Sequence, residues 1–223
     1  MAPFFFGLTL FLAVCDWIFT VQQRDQIRWI TKPGTLLALI VWFSLVGKWQ
    51  GPLFWFGLGL VFSFLGDAIL LLPGKNFFPV GGGAFFLTHV FYILGFLSTA
   101  PILGTAQASL GSSLLIGPML MITHPAGTIL PRMRQRIPQT APFMYAAVII
   151  IMNLSAISTF FRPGWLTLAS ILCCLGALLF LISDSVLAYA RFKHPIHSSD
   201  LIVMTTYHTG QILIAAGALA NFI

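Results

Sequence analysis

The sequence predicts an all-α, polytopic membrane protein: a bundle of eight transmembrane helices with both termini on the non-cytoplasmic side. Three observations carry that expectation. Apolar residues make up 58% of the chain and charged residues 7%, with no glutamate anywhere, whereas a soluble domain carries about a quarter charged residues to cover its surface. The apolar residues fall into eight runs, most of them close to the roughly 20 residues that cross a bilayer core. The basic residues fall in alternate connections between those runs, as topology determinants do.

The runs are 3–21, 33–48, 52–72, 81–99, 107–123, 141–160, 164–190 and 199–222, one transmembrane domain over 1–223. The first carries Asp16 in its body and lacks a basic leader and a small-residue cleavage site, so it reads as a retained helix, not a signal peptide. Pro33, Pro52, Pro142 and Pro163 stand at or near run starts, where a missing N–H is harmless. The last run opens on Ser198 and Ser199, potential caps, with Asp200 in its first turn.

Arg24, Arg28, Lys32, Lys75, Arg132, Arg134, Arg136, Arg191 and Lys193 lie in odd-numbered connections, and only Lys48 and Arg162 in even ones. The odd connections are therefore expected in the cytoplasm. Trp49, Trp55 and Trp165 cluster beside the even ones, as an interfacial belt does. The longest connection, 125–140, with three arginines, reads as a surface loop on anionic headgroups. This placement of charge, in short connections and not in one patch, argues against a nucleic-acid partner. The expected partners are membrane lipids, with the oligomeric state open. The brevity of the connections points to a bacterial inner membrane, with the endoplasmic reticulum as the alternative. Cys15, Cys173 and Cys174 lie inside apolar runs with no spaced framework, so they read as small fillers, not a disulfide or zinc set.

An ionisable side chain at bilayer depth costs at least ~2.5–3.5 kcal/mol, so it needs a partner or a task. Asp16, Asp67, His89 and Asp184 are such groups, joined by Tyr207 and Gln211 in the last run and Lys32 at the mouth of the second. Counted from the cytoplasmic ends of their runs, Asp16, Asp67, His89, Asp184 and Tyr207 all stand about six to eight residues in, roughly 9–12 Å at the helical rise. A shared level predicts one polar pocket. Ser63 is four residues before Asp67, Tyr92 three after His89, and Gln211 four after Tyr207, each pair on one helix face. A lone buried aspartate is often only an interhelical tether, which is the reading for Asp16. His208, one residue off the Tyr207 face, reads as structural.

Two carboxylates in one apolar pocket divide their roles, one holding a proton to give and the other remaining charged. That suits acid-catalysed cleavage through an oxocarbenium-like cation, and equally aspartic proteolysis. No nucleophile elbow, phosphate loop or dinucleotide fingerprint is present, and the histidines lack metal-ligand spacing, so no metal or cofactor is expected.

Several segments carry a resemblance. Thr31-Lys32-Pro33 opens the second run, and the third contains Phe62-Ser63-Phe64-Leu65-Gly66-Asp67-Ala68-Ile69-Leu70-Leu71. Phe78, Gly81-Gly82 and Phe86-Leu87-Thr88-His89-Val90-Phe91-Tyr92 follow, then Ser183-Asp184-Ser185-Val186-Leu187-Ala188 with Phe192. Val203-Met204-Thr205-Thr206-Tyr207 and Gln211-Ile212-Leu213-Ile214 complete the set. In this order and over nearly the whole chain, the sequence resembles the YhhN-like lysoplasmalogenase family. The resemblance implies hydrolysis of the vinyl ether bond of lysoplasmalogens to a fatty aldehyde and glycerophospho-ethanolamine or -choline, with Asp67 and Asp184 as the motif carboxylates. Gly83 and Thr88 depart from the Leu and Ala usual there, and His208 from an aromatic, which bears on pocket shape and not on the acids.

Enol ether hydrolysis begins with protonation at carbon, so it needs a positioned acid and a group to stabilise the cation and guide water. Asp184 is assigned as the acid and Asp67 as the stabiliser, with the reverse open. Lys32, Lys75, Arg191 and Lys193 flank the same mouth, and Lys32 is the candidate phosphate contact. Ser63, His89, Tyr92, Tyr207 and Gln211 are expected to line the substrate pocket. An intramembrane aspartyl protease is one alternative, although its Gly-x-Gly-Asp and Pro-Ala-Leu patterns are absent. A small-solute transporter or receptor is another, although the non-cytoplasmic halves of the runs offer little charge for a through-path. A zinc-dependent lipid amidase-like hydrolase is a third, to be decided by metal analysis.

Overall fold

The computed structural model describes residues 1–74, 77–98 and 140–223. The expected fifth span at 107–123, the long basic connection and Lys75 lie outside them. Within the described residues the protein is all helix: α1 (Ala2–Val21), α2 (Asp25–Gly47), α3 (Leu53–Leu71), α4 (Phe77–Leu97), α5 (Thr140–Ser158), α6 (Thr167–Phe192) and α7 (Ser199–Phe222), with a short 3₁₀ turn at Thr159–Phe161. Seven of these helices are long and apolar enough to cross a membrane. The protein is an integral membrane protein built as a helical bundle.

Its surface is inverted relative to a soluble fold. Phe4, Phe11, Ile30, Leu37, Phe143 and Leu168 point outward, while Asp16, Lys32, Asp67, His89 and Gln211 are buried. Lipid tails satisfy the outer face, and the polar groups find one another inside.

Two boundaries differ from expectation in an informative way. α2 begins at Asp25, not 33, so Pro33 lies inside it. The extra turns are polar, but Asp25 sits in the positive first turn and Arg28 reaches Asp16 on α1, 3.8 Å away. Tertiary contact thus extends a helix that hydropathy ends. α4 likewise begins at Phe77, not 81. The last helix matches its expected limits, but Ser198 holds a left-handed backbone (φ 59°) and neither it nor Ser199 makes a side-chain cap.

Close approach is set by glycine where it matters most. α6 and α7 form the most extensive helix pair. A Cβ on Gly176 would lie 2.7 Å from the Gly210 carbonyl, and one on Gly210 2.8 Å from the Gly176 carbonyl. Only a residue pair without side chains lets these backbones meet. At the far end, Trp49 folds over Gly57 and donates to Ser44 Oγ at 2.7 Å, closing the α2–α3 turn.

Candidate functional site

α1 ends, α2 begins, α3 ends, α4 begins, α6 ends and α7 begins at one end of the bundle. A cavity of about 450 Å³ opens there. Its charged lining is Arg28 and Lys32 from α2, Arg191 from α6 and Asp200 from α7, and Leu70, Phe77, Leu187 and Met204 supply apolar wall. Neither Asp67 nor Asp184 lines it.

Asp67 lies one helical turn further in. Its Oδ1 is 3.1 Å from Lys32 Nζ, and its Oδ2 accepts a 2.9 Å hydrogen bond from Tyr207 Oη. Lys32 therefore spans the distance between cavity and carboxylate, its stem buried and its ammonium shared. Behind Asp67, Gln211 Nε2 donates to Ser63 Oγ at 2.7 Å, Ser63 donates to Thr88 Oγ1 at 3.1 Å, and Tyr92 Oη donates to Gln211 Oε1. Ser63, on the same face of α3 as Asp67, donates to Thr88 across the α3–α4 contact. Gly66 explains how α4 comes so near: a Cβ there would meet the Phe85 ring at 2.8 Å, and one on Gly81 would lie 3.5 Å from the Gly66 carbonyl.

Asp184 has a different company. Its Oδ2 accepts from Tyr145 Oη of α5 at 2.5 Å and faces His89 Nε2 at 3.2 Å. A carboxylate only accepts, so the ring proton of His89 belongs on Nε2, and its Nδ1 faces Met152 Sδ at 3.2 Å. The Asp184 side chain is 13% exposed against 1% for Asp67. Among the described residues no hydrogen bond or ion pair joins the two carboxylates. Phe180 touches both groups, its ring centroid 4.7 Å from that of His89 and 5.4 Å from that of Tyr207.

The single polar layer expected from depth is thus two clusters meeting at an aromatic ring. The reason is rotational. Depth along a helix follows from residue number, but Asp67 faces α2 and α7 while Asp184 on α6 faces α4 and α5. His89 and Tyr92, three apart, divide likewise, His89 toward Asp184 and Tyr92 toward Gln211.

Asp16 is a buried tether, accepting from Thr31 Oγ1 at 2.8 Å with Arg28 nearby. His208 Nδ1 accepts from Trp17 Nε1 at 3.2 Å. Three buried polar atoms around this region, Asp16 Oδ2, Arg28 Nε and His208 Nε2, make no hydrogen bond among the described residues. Tyr145 and Arg28 escaped the sequence reading. Tyr145 carried a usable signal, a phenol five residues into an apolar helix, whereas Arg28 looked like a connection residue. Lys193 lies over the Tyr189 ring, 5.2 Å from its centroid, and does not line the cavity.

Relatives bear directly on this arrangement. A lysoplasmalogenase TMEM86B from Mus musculus is 28% identical over 99% of this chain and 87% of its own length. The human protein of that name is also 28% identical, with the same coverage. A membrane protein named YhhN from Escherichia coli O157:H7 is 29% identical over 84% of this chain and 85% of its own. No solved structure matches the chain. Residues 27–218, which hold the cavity, both carboxylates and all of their partners, match the YhhN family, and the protein belongs to it.

Proposed function

We propose that this protein is an intramembrane hydrolase that cleaves the vinyl ether bond of lysoplasmalogens, releasing a fatty aldehyde and glycerophospho-ethanolamine or -choline. The relatives named lysoplasmalogenase support the reaction class. One observation carries the site: a buried carboxylate, Asp67, joined through Lys32 to a cation-bearing cavity at the bundle end. A lysolipid phosphate fits the cations, and its chain fits the apolar wall. The abundance of Arg and Lys at this end favours the cytoplasmic side.

The chemistry follows from the residues. A proton adds to the vinyl carbon β to the ether oxygen, forming a C–H bond and leaving an oxocarbenium ion. Water adds to the cationic carbon and gives a proton to a carboxylate of the site, which replaces the one spent on carbon. The hemiacetal collapses: its hydroxyl proton is transferred to the glycerol oxygen as the carbon–oxygen bond breaks, and the aldehyde leaves. Asp67, paired with Lys32 and bonded by Tyr207, suits the cation and the incoming water. Asp184, braced through Oδ2 by Tyr145 and His89, has Oδ1 left to carry the proton it gives. The vinyl ether would lie against Phe180, the ring common to both clusters. Ser63, Tyr92 and Gln211 form the polar backing of Asp67.

An aspartic protease is less well supported, because that mechanism needs two carboxylates sharing one proton, and these two have separate partners. The test is aldehyde release by purified protein from lysoplasmenylethanolamine, with Asp67→Asn and Asp184→Asn each slower by about 10²–10⁴-fold yet folded. Wild-type turnover in both variants would remove the carboxylate mechanism. No aldehyde from any vinyl ether lysolipid would remove the hydrolase reading.

A further inference from the structure

The cavity mouth carries charges of both signs that do not neutralise each other. Lys32 is committed to Asp67, and Arg28 lies near Asp16 and Asp25. Arg191 and Asp200 are left. Arg191 stacks its guanidinium 5.3 Å from the Phe78 ring centroid, and neither it nor Asp200 has an ion-pair partner among the described residues. Both line the same cavity from neighbouring helices, at the level where lipid headgroups lie. A cation and an anion held apart at one mouth complement a zwitterion.

We infer that Asp200 is a headgroup-selecting residue, accepting hydrogen bonds from a primary ammonium while Arg191 holds the adjoining phosphate. The occupant is a phosphoethanolamine-type lysolipid. Choline carries the same charge but no N–H, so it forgoes the hydrogen bonds that a carboxylate rewards. Quaternary ammonium is recognised instead by cages of open aromatic faces, and of the two phenylalanines lining this mouth Phe78 already carries Arg191, which leaves Phe77 alone. Asp200 also stabilises the start of α7 through the helix dipole, but that role is blind to the headgroup.

The inference rests on the lysolipid-hydrolase reading, and its test separates the two. Binding is measured with saturated 1-O-alkyl lysolipids, which lack the vinyl group, carrying ethanolamine, choline or a bare phosphate. Hydrolysis of the corresponding vinyl ethers is measured in parallel. Wild-type protein is expected to favour ethanolamine over the other two by about tenfold in Kd and KM. Asp200→Asn collapses that preference to near unity, Asp200→Glu largely restores it, and thermal unfolding verifies that each variant is folded. A wild-type protein without headgroup preference, or a preference that survives Asp200→Asn, overturns the inference. Headgroup-selective binding without hydrolysis upholds Asp200 while removing the enzyme.

Discussion

Asp67 and Asp184 stand at similar depth in neighbouring parts of the bundle, and their surroundings differ in kind. Asp67 is sealed from solvent, paired with the ammonium of Lys32 and bonded by Tyr207. Asp184 is partly exposed and held by a phenol and an imidazole, with no lysine or arginine paired to it among the described residues. The first setting gives a buried carboxylate an opposite charge and a hydroxyl donor, without which burying it would be costly. The second offers the proposed proton donor a phenol and an imidazole in place of a fixed cation. Depth alone makes the two aspartates look equivalent, and partners make them different.

That contrast can be broken experimentally, most severely at Lys32. Lys32→Met leaves Asp67 buried and unpaired, with an expected loss of about 3–5 kcal/mol in unfolding free energy and of turnover. Adding Asp67→Asn is expected to recover most of the stability and none of the activity. If the double variant is no more stable than Lys32→Met, the ion pair is not what holds Asp67 charged. No equivalent rescue should exist at Asp184, where Asp184→Asn is expected to shift stability by only about 1 kcal/mol.

The shared ring offers the next test. Phe180→Leu preserves much of the apolar volume but removes the flat partner of His89 and Tyr207, and a volume-similar swap costs under about 1.5 kcal/mol. Turnover should fall more than stability does, by roughly tenfold, if the vinyl ether lies against this ring. Unchanged kcat and KM would exclude Phe180 from the reaction path.

The smallest effects separate the two phenols. Tyr145→Phe and Tyr207→Phe each remove one hydrogen bond to a carboxylate, worth about 0.6 kcal/mol on average between membrane helices and up to about 1.7. Tyr207→Phe is expected at the upper end, since its acceptor is held charged by Lys32. Equal losses in thermal unfolding would say that the two carboxylates carry similar charge, against the contrast drawn above.

Much of this was readable in the residues themselves. Ser199–Phe222 matches its expected run, and of the groups expected at one level Asp67 and Tyr207 do meet, with Lys32 joining them from α2. Thr88, noted as a departure from the family, turns out to contribute a hydroxyl to the network behind Asp67. Arg28 and Asp200 were not legible as cavity residues, because a charge in a short connection has the same appearance whether it faces water or a binding site. Tyr145 was overlooked for a related reason: a phenol among apolar residues signals a polar partner without naming it.

Sequence by itself determined that this chain lives in a membrane and which apolar runs become most of its helices. Those follow from the thickness of hydrocarbon and a fixed rise of 1.5 Å per residue. Only the tertiary structure decided which polar groups meet. Each residue turns the helix by about 100°, so partners depend on how far every helix is rotated about its own axis. That rotation is set by packing, here by contacts such as Gly176 against Gly210 and Gly66 beneath Phe85, and no single helix encodes it alone.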